Sequence, residues 1–169
     1  MGKPAADEPP VVVHGWSILA HPEFLDALEA LIEKVAQLRA KNPAGYKQSN
    51  LAKRLAAIVK LTFDIIPQDP TRTEYRQGAT LGDAYKHWFR AKFFQQYRLF
   101  FRYHRQSRIV IYGWVNDEDT KRAYESGTDA YRTFRRMLET GNPPDDWQTL
   151  LKQARKQSLR LRHAKDRAR

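Results

Sequence analysis

The sequence contains no cysteine, which excludes disulfides, thiol catalysis and cysteine-based zinc or iron–sulfur sites. No apolar run approaches the roughly 18 residues that a bilayer span requires, so no transmembrane helix is expected. Residues 1–10 are polar and proline-rich, with Asp7 and Glu8, and lack the charged-then-apolar order of a secretory signal. They read as a flexible N-terminus of a cytoplasmic protein. The zincin, EF-hand, P-loop and nucleophile-elbow patterns are all missing. The one tight acidic cluster, Asp117-Glu118-Asp119, has no histidine beside it and reads as the acidic start of a helical turn. No metal and no cofactor are expected.

Aromatic residues, by contrast, are plentiful. Four Trp, eight Tyr and eight Phe in 169 residues are too many for a disordered chain and point to one compact domain. Positive charge is the other excess, with a formal net charge of +11. It is unevenly placed. Lys86 to Arg108 holds seven basic residues and no acid, and Lys152 to Arg169 holds eight basic residues against Asp166 alone. Each segment carries +7, so the remainder of the chain is net acidic. An excess localised in this way points to a polyanionic partner such as nucleic acid.

Val11 to Leu19 is β-branched and apolar and reads as a first strand. Pro22 then opens a helix, at a position where its missing N–H costs nothing. Phe24, Leu25, Leu28, Leu31, Ile32, Val35 and Leu38 give that helix one apolar face. A second helix is expected from about Ser49 to Ile66, stopped by Pro67. After a loop from Gln68 to Gly82 the periodicity changes to alternation. Trp88–Phe94, Tyr97–His104 and Ile109–Val115 read as an antiparallel meander. A helix from about Asp129 to Glu139 and another holding Trp147, Leu150 and Leu151 follow. Residues 156–169 are basic with little apolar content and are expected to be disordered. The fold class is α+β: a strand and helical hairpin packed on one face of a small antiparallel sheet, with short C-terminal helices.

Alternation then groups the basic residues. Arg90, Lys92, Arg98 and Arg102 share one face with Phe100 and His104, while Phe89, Ala91, Phe93, Leu99, Phe101 and Tyr103 share the other. The apolar set belongs under the helical hairpin, which leaves the basic set uncovered. Facing cations about 5 Å apart repel unless something neutralises them. A phosphodiester backbone does so, gripped by the guanidinium forks, and Phe100 offers a surface for an unpaired base. Lys86, His104, Arg105 and Arg108 extend this surface as further candidate RNA contacts. RNA is cleaved without metal when its own 2′-OH attacks the adjacent phosphate, provided the protein orients the backbone, stabilises the phosphorane and moves protons. Arg90, Arg98 and Arg102 suit the electrostatic part. Lys92 and Tyr124 are candidate proton-transfer groups, because neighbouring cations depress the pKa of a lysine or tyrosine. His14 and His21 read as structural, and His87 has no assigned role. The alternative is a non-catalytic nucleic-acid-binding module in which the basic face and tail track phosphates.

Several stretches resemble a known family. His14-Gly15-Trp16 with Ala20-His21-Pro22, Tyr75-Arg76-Gln77-Gly78 with Leu81-Gly82, Trp88-Phe89-Arg90-Ala91-Lys92-Phe93, Tyr97-Arg98-Leu99-Phe100-Phe101-Arg102-Tyr103, Gly113-Trp114-Val115-Asn116-Asp117-Glu118 and Thr128-Asp129-Ala130-Tyr131 are similar to the YhaV family of bacterial toxins. That family belongs to the type II toxin–antitoxin systems and the RelE-like superfamily. The likeness covers residues 11–155 and leaves out the basic tail. It implies a RelE-like fold and an mRNA-cleaving toxin that arrests translation, acting on free or ribosome-bound message. It also implies a PrlF-type antitoxin, which represses the shared operon and brings operator DNA to the complex. Arg90 matches the position that the family needs for toxicity. Arg98 and Arg102 match basic strand positions that hold the scissile phosphate, and Tyr124 matches the terminal tyrosine of many relatives.

Overall fold

A computed structural model describes residues 9–121 and 129–168. Its centre is a five-stranded sheet in the order β1-β2-β5-β4-β3. β1 (Val11–Val13) and β2 (Trp16–Ala20) form an antiparallel hairpin where the sequence suggests a single strand. His14 and Gly15 both take positive φ, 51° and 82°, the backbone of a two-residue hairpin turn. His14 therefore belongs to a turn, where its Nε2 lies 3.1 Å from Asp64 Oδ1.

β3 (Phe89–Phe93), β4 (Tyr97–His104) and β5 (Ile109–Val115) make the expected antiparallel meander. β5 then runs parallel to β2, with Ser17 beside Ile109 and Ala20 beside Tyr112. The sheet is thus mixed, which corrects the wholly antiparallel expectation. Two helices and the β3–β4 pair separate β2 from β5, and a connection of that length lets the chain return in the same direction.

A bulge in β5 decides which side chains reach each face. Phe100 pairs with Trp114 and Phe101 with Tyr112, so Gly113 is an unpaired extra residue. Tyr112 and Trp114, two residues apart, consequently join opposite cores. A Cβ on Gly113 would lie 2.6 Å from the Trp88 ring, so nothing larger than glycine fits without displacing it.

α1 (Pro22–Lys41) starts with the His21 ring accepting the Glu23 backbone N–H at 3.1 Å. α2 (Asn50–Lys60) starts with the Ser49 hydroxyl accepting from Ala52 N–H. Pro67 does not end this second helix at once. The helix widens into a π turn over Leu61–Ile65 and closes with the single turn α3 (Ile66–Gln68). A proline ring and its missing N–H disturb the ordinary ladder, and the wider turn accommodates both. The Thr62 carbonyl in this turn accepts the buried Tyr112 hydroxyl at 2.8 Å.

α1 and α2 cover the face carrying Leu99, Phe101, Val110 and Tyr112. The opposite face is not bare, as the sequence reading has it. α4 (Ala130–Glu139) and α5 (Trp147–Arg155) bury Leu19, Phe100, Ile111 and Trp114 beneath Phe134, Leu138 and Leu150. The fold is α+β as expected, but with helices on both faces of the sheet.

The C-terminal segment is a second correction. Instead of a disordered tail, Ser158–Arg167 forms α6, which buries Leu161 and Ala164 and packs on α1. Arg160 pairs with Asp26 and Glu29, and Arg167 with Glu33. Arg162 donates to the carbonyls of Pro9 and Pro10. These partners lie more than a hundred residues away in sequence, where a local reading does not find them. The segment expected to be a flexible N-terminus lies, over residues 1–8, outside the described residues. Among the described residues no helix is long and apolar enough to cross a membrane.

Candidate functional site

The pairing of β3 with β4 sets Arg90 beside Phe100 and Lys92 beside Arg98, so the basic residues share a face as alternation requires. What lies over that face changes their meaning. Phe100 is 0% exposed, stacked 4.3 Å from the Phe134 ring and 6.1 Å from that of Trp114. It offers no surface to a nucleobase, contrary to the sequence reading, because the apolar stripe of α4 closes the middle of the face. The cations are arranged around the rim of that helical layer.

Arg90 and Arg98 converge on Tyr131 of α4. Arg90 Nε donates to the Tyr131 hydroxyl oxygen at 2.9 Å, and Arg98 Nε donates to the same oxygen at 3.1 Å. The two Nε atoms are therefore no more than about 6 Å apart. Arg90 Nη1 also donates to the Glu74 carbonyl at 2.7 Å, and Arg98 Nη1 to the carbonyls of Gln95 and Tyr97 at 2.6 and 2.9 Å. The Asn116 side chain accepts the Arg98 backbone N–H at 2.6 Å. Arg98 is only 7% exposed, so it contributes charge from behind the surface, where an open position was expected. Lys92 is exposed on the edge strand.

Every acceptor of Arg90, Arg98 and Arg102 named here is neutral. Among the described residues no carboxylate forms an ion pair with Arg90, Lys92, Arg98 or Arg102. The acidic loop is engaged elsewhere. Asp117 accepts the N–H groups of Asp119 and Thr120, and Glu118 lies 3.6 Å from Arg54.

Arg102 belongs to a second group. Its guanidinium carbon lies 5.6 Å from the Trp88 ring centroid and 5.2 Å from that of Trp147. Its Nη1 donates to the Asp145 carbonyl. Burial lowers its pKa, and the nearby Asp145 and Asp146 raise it in part. The Asp145 carboxylate accepts the Trp88 indole N–H at 2.8 Å and lies 2.5 Å from His87 Nε2. His104 is exposed, stacks on Trp147 at 5.9 Å and bonds Ser107.

The remaining expected contacts are dispersed. Arg105 and Arg108 are exposed in the β4–β5 turn, about 23 Å along the strand from Arg98 at ~3.3 Å per residue. Lys86 is exposed and lies 3.5 Å from Asp83. Tyr124 lies outside the described residues. Sequence reasoning missed Tyr131, His87, Asp145 and Trp147 as site residues. Tyr131 stood out in the sequence only as the last residue of the Thr128-Asp129-Ala130-Tyr131 motif, and no sequence signal marks Asp145. Among the described residues no three His, Asp or Glu side chains come together as a metal-binding group.

Fixed guanidiniums with no counter-charge among the described residues, on the rim of a basic α+β protein, are suited to meeting nucleic-acid phosphates. Comparison with known proteins makes the class specific. Residues 18–155 match a family described as a toxin with endonuclease activity, of a toxin–antitoxin system. The chain is 41% identical over 146 residues to the "Ribonuclease toxin YhaV" of Escherichia coli strain K12, covering 85% of this chain and 95% of that protein. The "Toxin YhaV" of Escherichia coli O157:H7 matches equally. That of Escherichia coli O6:H1 strain CFT073 is 41% identical over 143 residues, 83% of this chain and 93% of the relative. No solved structure matches significantly. The chain belongs to the YhaV toxin family, as its motifs indicate, and its α+β architecture is consistent with a RelE-like fold.

Proposed function

We propose that this chain is a cytoplasmic, metal-independent endoribonuclease that cleaves mRNA, free or on the ribosome, and thereby arrests translation and growth. A PrlF-type antitoxin neutralises it, and the complex of the two binds operator DNA through the antitoxin. The observation that carries the catalytic reading is the set of cations on β3 and β4 that have no carboxylate partner among the described residues. The family's endonuclease activity and the relatives' names support RNA cleavage.

In this reading the scissile phosphate sits at the rim of α4. The Arg90 fork meets its non-bridging oxygens, Arg98 adds charge from behind, and Arg102 meets the same phosphate from the side of Trp88 and Trp147. The substrate's 2′-oxygen attacks phosphorus and the 5′-oxygen leaves. In this reading Lys92, exposed on the edge strand, exchanges protons with the substrate. Tyr124 keeps the role that the family resemblance implies. Lys86, His104, Arg105 and Arg108 lengthen the track for the RNA backbone.

The test is cleavage of a single-stranded RNA, and of message on ribosomes, by purified chain, with the new ends mapped chemically. The expected products are a 2′,3′-cyclic phosphate or 3′-phosphate and a 5′-OH, with free-RNA cleavage surviving EDTA. A 3′-OH product, or activity restored by magnesium, contradicts the mechanism. RNA binding without cleavage returns the chain to the class of non-catalytic binders. Growth arrest on induction, relieved by co-expression of the antitoxin, tests the cellular role.

A further inference from the structure

We propose that His87, oriented by Asp145, is the general base that takes the proton from the attacking 2′-OH. This deepens the endoribonuclease reading and rests on it. His87 immediately precedes the buried Trp88, two residues before β3, and no family motif or sequence pattern singles it out. Its Nε2 lies 2.5 Å from Asp145 Oδ1, and the same oxygen accepts the Trp88 indole N–H at 2.8 Å. Trp88 is 0% exposed, so the carboxylate is tethered to the core. A carboxylate only accepts, so the imidazole donates Nε2–H to it, and the lone pair of the neutral ring is left on Nδ1. Among the described residues no protein group bonds Nδ1. The side chains of His87 and Asp145 are 40% and 37% exposed, so both are within reach of substrate.

The position relative to phosphate follows from Asp145. Its carboxylate holds His87, and its backbone carbonyl holds Arg102 Nη1. One residue therefore joins an oriented imidazole to a cation wedged between the rings of Trp88 and Trp147. A base held by a carboxylate beside a guanidinium is the arrangement that general-base activation of a hydroxyl at a phosphate requires. In the step, Nδ1 takes the 2′-hydroxyl proton as the 2′-oxygen–phosphorus bond forms. The phosphorus–5′-oxygen bond breaks, and the departing oxygen takes a proton from the Lys92 ammonium, which regains one from water. Asp145 stabilises the imidazolium until it returns its proton to water. The carboxylate of Asp145 faces His87, Asp145 and Asp146 lie near Arg102, and Lys86, adjacent to His87 in sequence, pairs with Asp83. His104 is a further imidazole, stacked on Trp147.

The test is the pH–rate profile for cleavage of a single-stranded RNA by the full chain, for wild type, His87→Ala, His87→Gln and Asp145→Asn. Circular dichroism melting confirms folding, and His87→Gln, which can still donate to Asp145, covers the case in which His87→Ala unfolds. The wild-type kcat is expected to rise with pH and then level. Both His87 variants are expected to be at least a hundredfold slower with little change in KM, and to lose that rise. Imidazole in the buffer is expected to restore His87→Ala at least tenfold. Asp145→Asn is expected to be slower by tenfold or more, because the amide no longer selects the tautomer. A folded His87 variant that keeps the wild-type rate or keeps the rise with pH, or a folded His87→Ala that ignores imidazole, overturns the proposal while leaving the endoribonuclease reading intact. Wild-type protein that cleaves no RNA, free or ribosome-bound, overturns both.

Discussion

Two segments of this chain carry the same excess of positive charge, and the fold uses them in opposite ways. In the C-terminal segment, Arg160 and Arg167 meet Asp26, Glu29 and Glu33 of α1, so part of its charge is answered within the protein. In the β3–β4 segment, Arg90, Arg98 and Arg102 are held by a tyrosine hydroxyl and by carbonyls. Neutral acceptors fix the direction of a guanidinium without cancelling its charge, whereas carboxylates do both. Net charge alone ranks the two segments equally. The identity of the acceptors separates a helix clasp from an anion site.

The largest expected effect tests the layer that shapes the anion site. Phe134 is fully buried against the rings of Phe100, Trp114 and Trp88. Phe134→Ala should cost about 3–5 kcal/mol of stability, read by chemical denaturation, and lose activity by unfolding. Arg90→Ala should separate chemistry from folding. It should raise the cleavage barrier by about 3 kcal/mol, a hundredfold or more in rate, while melting within a few degrees of wild type. Arg90→Lys should recover only part of the rate, since an ammonium keeps the charge and loses the planar fork. Tyr131→Phe keeps the ring and removes the shared acceptor. We expect cleavage to slow about tenfold, roughly 1.4 kcal/mol, with Arg90 and Arg98 less well aimed.

The C-terminal segment should respond in the reverse sense. Arg160 is part-exposed, so Arg160→Ala should cost only about 1 kcal/mol in a thermal melt and leave the cleavage rate unchanged. A smaller effect concerns His21, at the start of the helix that supplies the carboxylates. Its Nδ1 accepts the Glu23 N–H and its Nε2 donates to Gln153 at 2.7 Å, and burial lowers its pKa. The unfolded chain therefore binds the proton more tightly than the folded one. This contribution to stability is present above about pH 6.5, the reference value for histidine, and is lost as the pH falls below it. His21→Gln should flatten that part of the pH–stability curve.

Much of the fold was legible because local rules set it. The helix starts at Pro22 and Ser49, the β3–β4–β5 meander and the division of its faces follow from capping residues and alternation. Three features depend on contacts distant in sequence and were not legible. The Gly113 bulge reverses the facing of Tyr112 and Trp114, which simple alternation places together. The α4–α5 layer buries Phe100, which reads as an exposed stacking ring when only one helical layer is foreseen. The clasp of α6 on α1 joins residues about 130 positions apart. Of the site, Arg90, Lys92, Arg98 and Arg102 were legible as strand residues of one sign. Tyr131 and the His87–Asp145 pair were not, because their roles arise only when the C-terminal helices close over the sheet.

The most direct test of the central claim is the salt dependence of RNA binding, measured with a 2′-O-methyl single strand that cannot be cleaved. Each phosphate contact contributes about 0.7 to the slope of log affinity against log salt for a single strand. Arg90→Gln and Lys92→Gln should each reduce the slope by about that amount, and Arg160→Gln should leave it unchanged. A slope that falls for Arg160→Gln and not for Arg90→Gln would contradict the account, since it would place the RNA on the C-terminal helix and leave the sheet-face arginines as structural groups.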